Sequence, residues 1–453
     1  MKKNYILLLL FISVLISCKS EDDTYIPLQI QTQNDTAQVF QNGSIEIDVL
    51  GNDGNIPETG VLTVTSSTYA TISILDNNTP NNPSDDKIKY TPTSDFLGTD
   101  SFVYTICSSE NNCATATVTV TILPASPVNY NPDALPYPTL SDYNFFEGQL
   151  KNLQPVSGVI PYDLNSPLFS DYAHKKRFVW MPNGTKANYD TDYTALNFPI
   201  GTFLIKNFYY DNVMPTDNTK IIETRIMYFT DSGWEFAEYV WNDEQTEATF
   251  TTNGSFVNLD WNEAGIIKNV NYRIPARAEC FTCHNKFGTP IPIGPKPQNL
   301  NKNYTYQDGL TNQLQKWVDV GYLNPDYPEN IDTMVAWNDT SESLQMRARS
   351  YLDINCAHCH SEESYCEYRP MRFAFNENDT ASNMGICVEP DTNIGDTYPL
   401  IINPRNADGS VVVFRINSVE EQYRMPLLGR TLQHTEGIAL ISEWVNSLTD
   451  RCD

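Results

Sequence analysis

Two short stretches, ECFTCH at 279–284 and NCAHCH at 355–360, hold four of the chain's ten cysteines and three of its five histidines. Each contains the spacing C-x-x-C-H: Cys280, Cys283 and His284 in the first, Cys356, Cys359 and His360 in the second. Three chemistries use such residues. Two thiols that reach the vinyl groups of a haem, with a histidine beside the second thiol as proximal iron ligand, make a c-type haem socket. Two Cys-x-x-Cys pairs also make a four-cysteine zinc knuckle, though zinc gives no reason for a histidine directly after each pair. A thioredoxin-like dithiol wants a strand before it and again leaves the histidines unexplained. The haem reading uses all six residues and predicts two covalently attached c-type haems.

A distal ligand is the next requirement. In EEQYRMPLLGRTL, Met425 is followed by Pro426 in a non-helical stretch before the last helix, where proline stiffens the loop that presents the sulfur. Met425 is therefore the candidate distal ligand of the second socket, and His284, His360 and Met425 are the expected metal ligands. For the first socket the sequence does not choose among Met334, Met346, His434, His174 or an open position. His358, inside the second motif, cannot swing to the opposite face of the same haem and is read as a surface or propionate neighbour. His174, in a charged stretch, is read as exposed. No Ser–His–Asp order, P-loop or dinucleotide fingerprint is present.

The elements that must position these residues differ along the chain. MKKNYILLLLFISVLISC (1–18) has two lysines, an apolar run too short for a lone membrane span, and a terminal Cys18. It resembles a lipoprotein signal with lipidated Cys18, and the following KSEDD resembles an export tag of surface lipoproteins. The expected place is the outer membrane, anchored by lipid, facing the periplasm or the cell surface. Residues 25–123 alternate in short strands broken by Asn, Asp and Gly, the pattern of a β-sandwich. VLGNDG (49–54) and YTPTSDFLGTDSFVYTI (90–106) resemble bacterial Ig-like or cadherin-like repeats, read here as a spacer. Cys107 and Cys113 flank a hairpin tip and are expected to pair. Residues 124–139 form a proline-rich linker, and 140–271 a β-rich module whose many aromatics are assigned to sheet packing. Residues 272–340 are the first haem-binding segment. In the last third helical spacing appears, with helices expected over 310–323 and, within the 341–453 domain, over 341–356 and 435–448, the last capped by Thr435.

Residues 343–449, helix into CAHCH, then RMPLLG, then a closing helix, resemble a class I cytochrome c domain. The wider stretch 156–449 resembles exported diheme c-type cytochromes, through VIPYDLNSPLFSDYAHKKRFVWMPNG, YRIPARAECFTCHN, PIGPKPQNLN and RARSYLDINCAHCH. The resemblance implies a mainly α-helical cytochrome c-like C-terminal region with two haem sockets behind a middle β-rich domain. It implies electron transfer rather than enzyme catalysis. The alternatives are a diheme peroxidase or oxidase reacting at the first haem, and a binding module with auxiliary haems or a structural zinc site. Within the inserted loops, a Cys366–Cys387 pair is one option, with Cys452 then lacking an obvious mate; the sequence does not settle the pairing of these three.

Charge bounds the partners. The formal net charge is −27, and loss of Lys2 and Lys3 with the signal takes it to −29. Such a field disfavours nucleic acid and favours a basic exported redox partner such as a basic soluble cytochrome.

Overall fold

The computed structural model describes residues 28–94 and 96–452, so the signal and the expected lipidation at Cys18 lie outside the described residues. The N-terminal unit is a sandwich of a four-stranded and a three-stranded sheet. Its strands are β1 (Asp35–Phe40), β2 (Ile45–Ile47), β3 (Gly60–Val64), β4 (Ala70–Leu75), β5 (Lys87–Pro92), β6 (Gly98–Ser108) and β7 (Cys113–Leu123). The sheet orders are β1-β7-β6-β3 and β2-β5-β4, and β1 runs parallel to β7. Alternation in ATATVTVTIL turns Ala116, Val118, Val120 and Ile122 inward and leaves the threonines outward, as a pleated strand with one buried face requires. Cys107 and Cys113 face each other across β6 and β7 and are joined by a disulfide.

The middle module is an antiparallel sheet of eight strands. These are β8 (Ile160–Tyr162), β9 (His174–Trp180), β10 (Phe203–Val213), β11 (Asn218–Thr230), β12 (Gly233–Trp241), β13 (Ala248–Thr251), β14 (Ser255–Glu263) and β15 (Ile266–Ile274). They run in order β8 to β13, with the β14–β15 hairpin joined to β10 at Val213–Trp261. Its aromatics fill cores rather than a surface. Tyr143, Phe145, Phe203 and Tyr239 pack together on one face, and the Tyr143 and Tyr239 hydroxyls lie 2.8 Å apart. On the opposite face Trp317 meets Tyr162 edge-on, in a core that also takes Phe40 from the sandwich and Met334. Lys316 reaches back to Gln38 at 3.1 Å, so β1 is tied to the module by polar as well as apolar contacts.

Beyond the sheet the helices are short: α1 (Cys280–Cys283), α2 (Gln313–Asp319), α3 (Leu344–Leu352), α4 (Val411–Asn417) and α5 (Thr435–Ser447). Ser343 caps α3 by accepting from Met346 N. Helix α3 continues into a wider π-type turn over Asp353–Ala357. Helix α5 packs on α3 through Ala348, Tyr351, Ile441, Trp444 and Val445. Gly437 permits the approach, because a Cβ there would collide with the Tyr351 ring. Thr435 opens α5 as its first residue, with His434 in the cap position.

This corrects the expected fold class. Residues 341–453 are not a mainly helical cytochrome c-like domain with two haem sockets. Long irregular loops and isolated bridges, Ile386–Ile402 and Leu400–Ser410, separate the helices. Nor is the region discrete. Asp171 of the β module accepts hydrogen bonds from Thr431 N, Thr431 Oγ1 and Leu432 N at 2.7–2.9 Å, and Phe169 N donates to Asn355 at 2.9 Å. What stands is a multidomain, β-rich architecture with a mixed C-terminal part. Of the three cysteines whose pairing the sequence leaves open, Cys387 pairs with Cys452, and Cys366 is a buried free thiol. Among the described residues no helix is long and apolar enough to cross a membrane.

His434 lies in the seam between the two parts, stacked on Phe169 at 4.1 Å with Nδ1 3.1 Å from the Tyr351 hydroxyl. Burial, only partly offset by Glu436 and reinforced by Lys175 and Arg430, lowers its pKa from 6.5 to about 4. A depressed histidine contributes stability that is full above pH 6.5 and is lost as pH falls toward 4. That loss is at most about 3 kcal/mol. Urea unfolding of wild type and His434→Phe at pH 7 and pH 4 is expected to show a smaller acid loss in the variant. An equal loss in both would exclude His434 as its source.

Candidate metal centre

Each C-x-x-C-H stretch is one helical turn closed by its own histidine. His284 N donates to Cys280 O, and His360 N donates to Cys356 O, both at 2.9 Å. The first turn follows β15 directly. Glu279 fixes its start by accepting from Ala276 N at 2.9 Å and from Arg273 at 2.6 Å. The second follows α3, and its π-type turn is held by Asn355, which donates to Tyr351 O. Lys296 and Asp353, 2.6 Å apart, bring the two segments together.

The two turns meet. The ligand atoms of Cys283, His358 and Cys359 all lie within 4.8 Å of one another, although 75 residues separate Cys283 from His358. All three are partly buried. The Cys359 thiol donates toward Cys283, and with help from His358 this holds the Cys283 thiol down to about 4 and pushes Cys359 up. His358 Nδ1 is buried without a hydrogen-bond partner.

A cavity lies on either side of this cluster, and Cys283 and His358 line both. The first encloses about 1010 Å³ of empty space, partly open to solvent, and carries Cys356, Cys359, His360 and Met425. Here His360 stands edge-on to Phe373, and its pKa falls from 6.5 to about 4, chiefly through burial. Burial raises Cys356 to about 12. The second encloses about 1170 Å³ and carries Cys280 and His284, with Lys206, Arg225 and Glu238 on its sheet-side wall. His284 Nδ1 is 2.8 Å from Ile291 O, and burial lowers its pKa to about 4.

The other sequence candidates are dispersed. Met334 is buried in the core beside Trp317, and Met346 lies on α3 with its sulfur 3.7 Å from Arg349. His174 is exposed on β9, 3.9 Å from Asp211, and His434 is in the seam described above. The sequence reading missed His358 as a donor. The signal was present, since a third donor type sits between the two cysteines of the second motif. Lys206, Arg225 and Glu238 left no local signal, because cross-strand register alone brings them together.

A family model described as a bacterial Ig domain matches residues 27–121. No curated protein matches. Similar solved structures include the Vibrionaceae Photobacterium sp. JT-ISH-224 2,6-sialyltransferase, at 15% identity, TM-score 0.16, and coverage of 20% of this chain and 18% of that one. The D00-D0 domain of intimin has 9% identity, TM-score 0.17, and coverage of 55% and 98%. Mouse clustered PcdhgC3 EC1-3 has 8% identity, TM-score 0.17, and coverage of 53% and 64%. At these TM-scores the likenesses carry no argument, and the chain spans under a fifth of the sialyltransferase.

The family match thus places an Ig-like domain at the N-terminus and lies outside 156–449. It gives no support to the resemblance to exported diheme c-type cytochromes. The expectation of two covalently attached c-type haems in a diheme electron carrier is corrected on the donor geometry as well. The converging set is a Cys2His cluster drawn from both motifs, not two sockets that each keep their own thiol pair. Cys280, Cys283, Cys356, Cys359 and Cys366 are free thiols. A denatured, chelator-treated chain beginning at residue 25 is accordingly expected to show five reactive thiols in a colorimetric titration. A count of one would mean that the four motif cysteines are blocked, and the correction would fail.

Proposed function

We propose that this protein is an exported, lipid-anchored binding module with a small thiolate–histidine metal centre at Cys283, His358 and Cys359, set beyond an Ig-like spacer. One observation carries the reading: three soft ligand atoms from two distant turns within 4.8 Å of one another. Two thiolates and an imidazole suit Zn²⁺ first, and Cu⁺ among softer ions. The unpartnered His358 Nδ1 is a buried polar atom whose desolvation a ligated ion would offset. Export supports occupancy, since neighbouring free thiols do not persist in an oxidising compartment unless something holds them. Three protein ligands leave a fourth position toward the cavities, the arrangement of an exchangeable rather than a closed structural site.

Elemental analysis of the processed protein is expected to find one zinc per chain. Zinc should be lost in Cys283→Ser and in Cys359→Ser, and retained in Cys366→Ser, whose thiol is outside the cluster. Protein that holds no metal and takes up neither Zn²⁺ nor Cu⁺ on titration would overturn the proposal. So would protein whose motif thiols carry covalent haem.

A further inference from the structure

One wall of the second cavity is cationic in a chain whose net charge is −27. The cause is register. Arg177 stands opposite Lys206, Lys206 opposite Arg225, and Arg225 opposite Glu238, so the four side chains share one face of β9 to β12. The cations gather round the buried Phe208 ring, with Arg225 Cζ at 4.5 Å, Lys206 Nζ at 4.8 Å and Lys175 Nζ at 5.9 Å from its centroid.

Their partners are unequal. Arg177 is paired with Asp163 at 2.7 Å, although its Nη2 is buried without a partner. Arg225 is held by Glu223 through contacts of 2.5 and 3.0 Å. Glu238 is 2% exposed, and its Oε1 has no hydrogen-bond partner. Its Oε2 lies 3.6 Å from Arg225 Nε, and burial and the neighbouring Glu223 push its pKa well up. Lys206 Nζ makes no hydrogen bond or ion pair with any described residue. Burial first, then Arg177, Arg225 and Lys175, depress its pKa strongly. Like charges in line on a partly buried wall are retained against their mutual repulsion and desolvation. At Lys206 only the Phe208 ring and the more distant Glu223 offset that, and neither is a hydrogen-bond partner. The rest of the lining is largely apolar, with Leu204, Met227, Phe236 and Ile293, and its other two charged residues are already paired, Arg277 with Glu235 and Glu279 with Arg273.

We propose that this cavity binds a small amphipathic organic anion, an apolar and preferably flat body bearing a carboxylate or sulfonate. Lys206 takes up a proton as it receives the anionic end, and Glu238 stands beside it. The cavity walls are apolar with a few convergent polar groups, the composition of small-molecule sites. The inference uses no ligand from the metal cluster and stands whether or not the cluster is loaded.

The test is fluorescence titration of the full processed protein with 1-anilinonaphthalene-8-sulfonate. One saturable site per chain is expected, displaced by octanoate and not by inorganic phosphate at equal concentration. Lys206→Met should weaken the dye by at least about tenfold, the cost of removing the charge partner of a buried anion, while Lys206→Arg keeps most of the binding. Removing an unpaired buried amine should leave the melting temperature unchanged or higher. If Lys206→Met fails to fold, Lys206→Gln takes its place. Absence of saturable binding, equal binding by wild type and the neutral variant, or phosphate competing as well as octanoate would each overturn the proposal.

Discussion

The contact on which the rest of the site depends is the ion pair between Lys296 and Asp353. The two charges are 2.6 Å apart, and their side chains are only 14% and 2% exposed. Asp353 Oδ1 also accepts from Phe375 N, so the carboxylate is tied on two sides. Lys296 follows the first cysteine turn and Asp353 precedes the second, which makes the pair a bolt between the two donor-bearing segments. An ion pair this buried adds little net stability over a well-packed apolar pair, but leaving one partner unpaired costs about 3–5 kcal/mol. Its value is therefore positional. It sets where the second turn sits relative to the first, and hence whether Cys283 can meet His358 and Cys359.

Other buried polar contacts carry the same constraint outward. Gln313 bridges Asp163 and Leu300, and Asn299 exchanges hydrogen bonds with Ser166, so the segment after the first turn is bonded into the mouth of the sheet. Ser166 then reaches Val335 O, Phe169 reaches Asn355, and Asp171 gathers the backbone of Thr431 and Leu432. One loop of the β module, between β8 and β9, thus bonds to Asn299, Gln313, Val335, Asn355 and Thr431, in segments that flank the two cavities. The donors themselves lie on short turns. Their mutual geometry is fixed by a rigid sheet through this loop, the usual division of labour between scaffold and functional loop.

This explains what the sequence made legible. Alternation in ATATVTVTIL and in the strands of the middle module reports a local period, so the β-rich parts and the Cys107–Cys113 hairpin could be read directly. The cysteine turns could be placed because each is closed by its own histidine amide. Polar residues in IPYDLNSPLFSDY and PKPQNLN look like loop chemistry in one dimension. They prove to be interlocking buried contacts, which only the three-dimensional partner reveals. For the same reason the sequence leaves the pairing of Cys366, Cys387 and Cys452 open. Cys366 is turned back onto its own motif by a bond from its amide to Cys359 O, and Cys387 faces the chain end at Cys452 instead. The helical spacing of 341–356 and 435–448 was real, but it said nothing of the irregular chain between them. The convergence at His358 was likewise invisible, because it depends on Lys296 and Asp353 rather than on any feature of CAHCH.

Two turns of identical spacing therefore do not carry identical chemistry. Cys356 is enclosed, and burial raises its pKa to about 12, which marks an inert thiol. Cys280 is likewise raised, burial again being the main cause. Cys283 has the Cys359 thiol and the His358 ring against it, which lower its pKa to about 4 and favour the thiolate. The two thiols that come together are one from each motif, in both cases the second. That choice follows from helix geometry, since the second cysteine of each turn is the one nearest the end where the two turns abut. Motif spacing selects the residue types, but the packing of one turn against the other selects which of them can act together.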